Sequence, residues 1–142
     1  LCRQLAHQGG MTDALERMAA ERACERLIIS YAAAIDAGDW DAVAALYTAD
    51  GRMSRPTAPD AFIAGRAAIL AGFRARPPRT TRHVCANIRV TLIDADHATA
   101  SSQILLFMGK DQPPLVGSYA DRMRRVDGEW RFAERRGSLD FV

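Results

Sequence analysis

Two residues that are distant in the sequence, Asp36 and His83, could together carry out acid–base chemistry. Asp36 falls in the last turn of a predicted helix, where the negative end of the helix dipole disfavours a carboxylate by about 0.3–1 kcal/mol. Because the apolar stripe of this helix passes close to Asp36, its side chain is predicted to turn inward. His83 lies at the start of a predicted strand. We therefore hypothesise that the two side chains meet in a pocket and form a proton-transfer pair.

The segment that carries Asp36 is predicted to be a long amphipathic helix. Apolar residues recur at helical spacing over about residues 12–36, opposite a charged face. Asp13 has a glutamate three residues later, in capping-box spacing, and is predicted to be the N-cap. The preceding residues 1–11 show no periodicity and are interpreted as a tail or an extension, which leaves 12–142 as a single domain.

Two shorter helices are predicted to follow. Gly38 supplies a left-handed stop, and Asp39 is expected to cap a second helix that ends near Tyr47. A short strand and then a proline-containing loop over 54–60 come next. A third helix is expected over about 65–73, ahead of two consecutive prolines that prevent its continuation.

The second half of the chain has the two-residue periodicity of β-strands. Asp127-Gly128, between two such segments, is a strong β-hairpin signal. Helices first and antiparallel strands afterwards are typical of an α+β domain, in which helices cover one face of a curved sheet. Four strands are expected, over residues 82–92, 98–108, 115–126 and 129–140.

Simple alternation along the first of these strands conflicts with the proposed pair. Alternation would expose His83 and bury the face made of apolar side chains. That face consists of Val84, Ala86, Ile88, Val90 and Leu92. His83 can still reach a pocket if helices cover one face and a dimer partner covers the other, or if a bulge near Cys85 turns the histidine inward. The sequence leaves both explanations open.

The composition is that of an ordinary globular chain, with 142 residues, 49% of them hydrophobic, and a net charge of +2. Arginines at 74, 76, 79 and 82 form a basic run, for which a solvated loop is favoured over an anionic substrate. Since no aromatic residues interleave with them, no nucleic-acid partner is expected. No stretch approaches the roughly 20 apolar residues of a membrane span, and no secretory leader is recognisable. A cytoplasmic protein without a membrane partner is expected. The three cysteines are odd in number and form no close pair in the sequence, so neither a disulfide framework nor a metal site is predicted.

Three segments resemble the SnoaL-like family of the nuclear transport factor 2-like superfamily. They are Ile35-Asp-Ala-Gly-Asp-Trp40, Arg82-His-Val-Cys-Ala-Asn87 and Asp127-Gly-Glu-Trp-Arg-Phe132. The resemblance extends over about residues 12–140 and implies a cone-shaped α+β fold, with three N-terminal helices packed on a curved antiparallel sheet. Asp36 and His83 look like the aspartate–histidine pair of scytalone dehydratase and of hexachlorocyclohexane dehydrochlorinase.

The resemblance implies a cofactor-independent lyase or isomerase without a metal, acting on a hydrophobic small molecule as a homodimer formed through the outer sheet face. Asp36 and His83 are then the expected catalytic residues. A late-strand arginine of the dehydrochlorinase type corresponds to Arg124 or Arg125. Six residues are expected to contact substrate, although core packing would explain the apolar ones equally well: Tyr31, Trp40, Tyr47, Asn87, Phe107 and Arg125.

Two other functions remain open at this point. The chain could be a non-catalytic member of the family that binds a small ligand, or that acts as a structural partner like the small subunit of ring-hydroxylating dioxygenases. It could also resemble a polyketide cyclase, in which the acid alone serves as base. The cyclase alternative predicts that His83→Ala is tolerated and that Asp36→Asn is not.

Overall fold

The computed structural model describes the backbone of residues 2–141 and the side chains of residues 13–141. The described residues form three helices and six strands, with two helices before the first strand and the third helix between the second and third strands, so the expected α+β class is confirmed. In chain order the elements are α1 (Cys2–Ala37), α2 (Trp40–Ala45), β1 (Tyr47–Arg55), β2 (Ala58–Ala64), α3 (Arg66–Arg74), β3 (Arg82–Leu92), β4 (His97–Phe107), β5 (Leu115–Val126) and β6 (Glu129–Leu139).

All six strands form one curved sheet in the order β2-β1-β6-β5-β4-β3. Neighbouring strands are antiparallel except β1 and β6, which pair in parallel. The buried face of α1 contributes Cys24, Ile28, Tyr31 and Ile35 to a core shared with Phe132 and other inward-facing residues of the sheet. Among the described residues, no helix combines the length and the hydropathy that crossing a membrane requires.

The first helix differs from its prediction at its N-terminal end. It begins at Cys2, so the prediction that Asp13 is its N-cap is wrong. Leu15 is 63% exposed and Met18 is 64% exposed, because this part of α1 makes no contribution to the core, which begins at Cys24. The side chains of residues 1–12 lie outside the described part of the chain, and the interpretation of 1–11 as a tail stays a prediction.

The expected loop over 54–60 is a β-hairpin, which corrects the prediction based on its prolines. β1 continues to Arg55 and pairs with β2. Pro56 lies in the turn between the strands, and Pro59 lies in β2, an edge strand of the sheet. On an edge strand a proline is tolerated because one side of the backbone forms no ladder hydrogen bonds.

A β-bulge in β3 resolves the conflict over the faces of this strand. Its pairing with β4 shifts by one residue between Ala86 and Arg89, and Asn87 has φ +52°. His83 before the bulge and Ile88 after it therefore both face inward, whereas Val84 is 45% exposed on the outer face. The second of the two open explanations is the one observed, with the bulge at Asn87 rather than at Cys85.

Candidate active site

The end of α1 and the start of β3 bring Asp36 and His83 together. Nδ1 of the His83 ring lies 2.6 Å from Oδ1 of Asp36. The His83 backbone N–H donates to Oδ2 of Asp36 at 2.9 Å, and the Thr81 hydroxyl donates to Oδ1 at 2.9 Å. Asp36 is thus held by three hydrogen bonds from one strand end, an arrangement that fixes both its carboxylate plane and the rotamer of the histidine.

This contact sets the protonation pattern of the imidazole. A neutral histidine whose Nδ1–H donates to a carboxylate presents the lone pair of Nε2 on the opposite side of the ring. His83 lines a cavity, although only 8% of its side chain is exposed, and the side chain of Asp36 is 12% exposed. The geometry is therefore suited to a proton acceptor at Nε2 and an orienting carboxylate behind it.

Asp36 is ionised under ordinary conditions. Its partial burial alone would raise the pKa of the carboxyl. The hydrogen bonds from the backbone and ring of His83 and from Thr81 outweigh this effect and lower the pKa below the ordinary value. Asp36 can therefore stabilise a positive charge on the imidazole if Nε2 takes up a proton.

The His83 cavity, as we call it, has a volume of about 350 Å³, which is within the size range of small-molecule sites. Its walls come from α1, α2, all strands except β2, the turn between β1 and β2, and the segment between α3 and β3. Tyr31, which was predicted to contact substrate, lines it, and so does Trp40. The remaining aliphatic and methionine side chains of its lining are Ile35, Met53, Pro56, Pro77, Ile104, Leu106, Met108, Leu115 and Leu139.

Four of the predicted substrate contacts lie outside this cavity and are corrected. Tyr47 is fully buried in the core, with its ring 5.5 Å from that of Phe132. Asn87 is exposed, because its left-handed backbone forms the bulge. Phe107 is 39% exposed on the outer sheet face, since its register places it opposite Arg82 rather than His83.

Arg125 is the fourth correction. Its guanidinium pairs with Asp96 at 3.1 Å in the hairpin between β3 and β4, and the neighbouring Arg124 pairs with Asp50 at 3.0 Å. Both pairs are on the surface and away from His83, because these arginines lie near the β5 end that joins β6. Neither residue fits the role of the late-strand arginine.

The arginine that sequence reasoning missed is Arg135, which is 1% exposed and pairs with buried Asp121 at 3.0 Å. Its guanidinium packs on the ring faces of Tyr31 and Tyr119, at 4.3 and 3.8 Å from their centroids. Both tyrosines line the His83 cavity, so Arg135 lies directly behind its wall.

A second bulge explains why alternation could not find Arg135. In the pairing of β5 with β6, Met123 faces Phe132 and Arg122 faces Glu134, which leaves Ala133 unpaired. The extra residue turns Arg135 to the same inner face as Phe132. The available sequence signal was the aspartate at 121, which faces Arg135 across the two strands.

The charge of this buried pair follows from its surroundings. Burial raises the pKa of Asp121 to about 6, and the adjacent guanidinium limits the rise. Asp121 is therefore an anion at neutral pH and neutralises Arg135. The described residues contain no group of three or more His, Cys, Asp or Glu side chains that could hold a metal ion.

Comparison with known proteins gives the family. A family model described as the SnoaL-like domain matches residues 16–136. The small oxygenase component of the p-cumate 2,3-dioxygenase system from Pseudomonas putida is 35% identical over 66 residues. That match covers 45% of this chain and 37% of the component, so it spans little more than a third of the relative's length.

Solved structures give the fold. A candidate scytalone dehydratase from Novosphingobium aromaticivorans superposes with a TM-score of 0.76 at 27% identity, over 90% of this chain and 89% of that one. A hexachlorocyclohexane dehydrochlorinase from Novosphingobium barchaimii superposes with a TM-score of 0.78 at 18% identity, over 90% and 91% of the two chains. The second likeness is one of fold. The protein described here is a member of the SnoaL-like family and has the cystatin-like fold of the nuclear transport factor 2-like superfamily.

Proposed function

We propose that the protein is a cofactor-independent lyase or isomerase that removes a carbon-bound proton from a hydrophobic small molecule. The observation that carries this proposal is the 2.6 Å contact between Asp36 and His83 at the wall of the His83 cavity. Nε2 of His83 is the general base, and Asp36 orients the ring and stabilises the imidazolium that forms. The likeness to a candidate scytalone dehydratase supports the same class of reaction.

The hydrogen bonds of Asp36 favour His83, rather than the acid, as the base. Oδ1 accepts from Thr81 and from the His83 ring, and Oδ2 accepts from the His83 backbone. A carboxylate is a weak base when both of its oxygens accept hydrogen bonds and its pKa is lowered. This argues against the cyclase alternative, in which the acid alone takes the proton.

Negative charge that develops on the substrate needs a nearby positive charge or a leaving group. Arg135, whose counter-ion Asp121 does not line the cavity, directs the positive end of this ion pair at the rings of Tyr31 and Tyr119. Its contribution is electrostatic, because the two rings separate it from the cavity.

The test follows the loss of carbon-bound protons from small molecules in deuterated water. A panel of ring-containing ketones, alcohols and halides is incubated with the protein, and mass spectrometry detects deuterium incorporation or elimination. We expect His83→Gln and Asp36→Asn to lower the rate by about 10²–10⁴-fold. Unchanged rates in both variants would contradict the proposal, and a loss only in Asp36→Asn would indicate the cyclase mechanism.

The chain offers a matched control for this experiment. His97 also pairs through Nδ1 with an aspartate, Asp94, at 2.9 Å, but 53% of its side chain is exposed and it lies outside the His83 cavity. His97→Gln removes an aspartate–histidine contact of the same kind and should leave the rate unchanged. If the exchange rate falls equally in His97→Gln, the loss of rate in the His83 and Asp36 variants reflects a general effect on the protein.

The second candidate is a non-catalytic member of the family, which the partial match to a dioxygenase small component favours. Such a protein would bind hydrophobic molecules or a partner subunit without promoting exchange. The same panel separates the two functions. Binding of its members without deuterium incorporation in the parent protein supports the non-catalytic role, and the enclosed histidine at the cavity supports the enzyme.

A further inference from the structure

Three arginines line the His83 cavity, which is otherwise mainly apolar. Arg55 ends β1, and Arg76 and Arg79 belong to the segment between α3 and β3. The basic run, which was expected to form a solvated loop, is therefore divided between the cavity and the surface. Arg76 and Arg79 line the cavity, Arg74 pairs with Asp41 at 2.8 Å on the surface, and Arg82 is exposed.

The cavity arginines have no acidic partner among the described residues, and no carboxylate lines the cavity with them. Other arginines of the chain do pair with carboxylates. These are Arg22, Arg52, Arg74, Arg122, Arg124, Arg125, Arg131, Arg135 and Arg136. Five described arginines outside the cavity also lack such a partner: Arg17, Arg26, Arg66, Arg82 and Arg89. The cavity arginines differ from these because they line one mainly apolar cavity together, and three positive charges converging there favour an anion that is not part of the chain.

Contacts fix Arg55 and Arg76 without neutralising them, whereas Arg79 is exposed. The Arg76 guanidinium stacks on the Phe73 ring, 4.1 Å from its centroid. Arg55 donates through Nη2 to the Gly72 carbonyl at 3.5 Å, while its Nε is buried and has no partner. Burial lowers the pKa of Arg76, and the like charges of Arg55 and Arg79 lower it further. An anion bound among the three would relieve this repulsion and satisfy the free donors.

We propose that the substrate is a ring-sized apolar carboxylate, whose anionic group is bound by Arg55, Arg76 and Arg79 while its carbon skeleton extends toward His83. Guanidinium groups bind carboxylates through paired, charge-assisted hydrogen bonds. The apolar lining from Trp40 to Leu106 accommodates the rest of the molecule. This inference rests on the proposed function, because it names the substrate class of the same site.

Calorimetric titration with a charged and a neutral probe of the same shape tests the proposal. The probes are 2-naphthoate and 2-naphthamide, and the protein is the full chain at neutral pH. We expect the parent protein to bind the naphthoate at least about tenfold more tightly. Added salt should reduce this preference, since it screens the ion pairs between the probe and the cavity arginines. Equal affinities, or no binding of either probe at millimolar concentration, overturn the proposal.

Variants of two nearby arginines locate the effect. Arg76→Gln should abolish the preference for naphthoate, and Arg76→Lys, which keeps the charge, should retain part of it. Arg74→Gln is the matched control, because Arg74 lies two positions earlier and outside the cavity, and the preference should be unchanged. If Arg74→Gln and Arg76→Gln reduce the preference equally, the effect is one of net charge and the proposal is wrong.

Failure of this inference can be distinguished from failure of the proposed function. In His83→Gln, the naphthoate preference should persist while proton exchange is lost. Exchange of neutral substrates without any naphthoate preference would overturn the carboxylate assignment and leave the general-base mechanism intact. A naphthoate preference in a protein that exchanges no substrate would support the anion site and overturn the catalytic proposal.

Discussion

Asp36 is an unusual residue for the end of a helix, and its three hydrogen bonds explain how it is tolerated there. The donors Thr81 and His83 compensate for the unfavourable helix dipole and for the removal of the carboxylate from water. The same bonds connect α1 to His83 at the start of β3 and to Thr81, which directly precedes this strand. Asp36 is therefore expected to contribute to stability as well as to the orientation of His83.

Asp36→Asn is predicted to lower the free energy of unfolding at neutral pH by about 1–3 kcal/mol, because one amide group replaces an acceptor that faces donors. The folded-state pKa of Asp36 is lowered, so its contribution is complete above the ordinary value of 3.8 and is lost as the pH falls through the lower folded-state value. Urea unfolding of parent and variant should thus give curves that converge on acidification. A difference in unfolding free energy between parent and variant that does not change with pH would refute this prediction. Asp60→Asn, at an exposed ion pair, is the control.

Asp121→Asn is predicted to be more harmful, since it leaves the guanidinium of Arg135 buried without a counter-ion. Removal of one partner of a buried pair costs about 3–5 kcal/mol. The double variant Asp121→Asn/Arg135→Met should recover part of this loss, because it removes the stranded charge. Chemical denaturation gives the free energy of unfolding of the parent protein, of Asp121→Asn and of the double variant. A double variant less stable than Asp121→Asn would show that Arg135 contributes mainly through its packing on Tyr31 and Tyr119.

At the scale of elements, the sequence was sufficient to predict the positions of strands wherever their two-residue periodicity was regular. The four long strands and their Asp127-Gly128 hairpin are found close to the predicted positions. The faces of β3 and β6 could not be predicted. In each strand one extra residue, at Asn87 or at Ala133, reverses the alternation on which such predictions rest.

Asn87 is predicted to tolerate glycine but not a β-branched residue. Its φ of +52° lies in the left-handed region, which costs a β-branched side chain about 1–2 kcal/mol or more. Asn87→Val should therefore destabilise the protein and shift the NMR signals of the His83 ring, whereas Asn87→Gly should change little. Arg89→Val, at an exposed position of the same strand, is the control and should be nearly neutral. Equal stability of both valine variants would contradict the prediction.

The pair at the centre of the candidate site could be predicted, but its surroundings could not. Asp36 and His83 stood out because each conflicted with the pattern of its own element. Tyr47 and Phe107 had the right chemistry, but their positions depend on packing and strand register. Arg76 belonged to a basic run, and only the path of the chain before β3 brings it to the cavity.

At the scale of the whole molecule, the outer face of the sheet carries an apolar patch made of Val84, Leu105 and Phe107. These side chains are 45%, 36% and 39% exposed, and Val84 and Leu105 are directly paired across β3 and β4. A second copy of the chain could cover this patch through a self-complementary contact. We therefore propose that the protein forms a homodimer through this face of the sheet.

Sedimentation velocity should give a particle of twice the 15.6 kDa chain mass. Leu105→Asp places a charge in the patch and is expected to produce a monomer that retains its fold. Ile93→Asp is the control, because Ile93 is 64% exposed in the hairpin between β3 and β4, outside the patch, and should leave the dimer intact. A parent protein that sediments as a monomer would overturn the homodimer.

The bulge in β3 has a consequence for the gene. The extra residue at Asn87 corresponds to a single codon, and its in-frame deletion would restore uninterrupted alternation along the strand. His83 and Ile88 are five positions apart, and without Asn87 they would be four apart, an even spacing that keeps both side chains on the inner face. We therefore expect a chain without Asn87 to keep His83 at the cavity. Relatives that have a regular strand in place of the bulge could thus have arisen by the loss of three nucleotides and still retain the base.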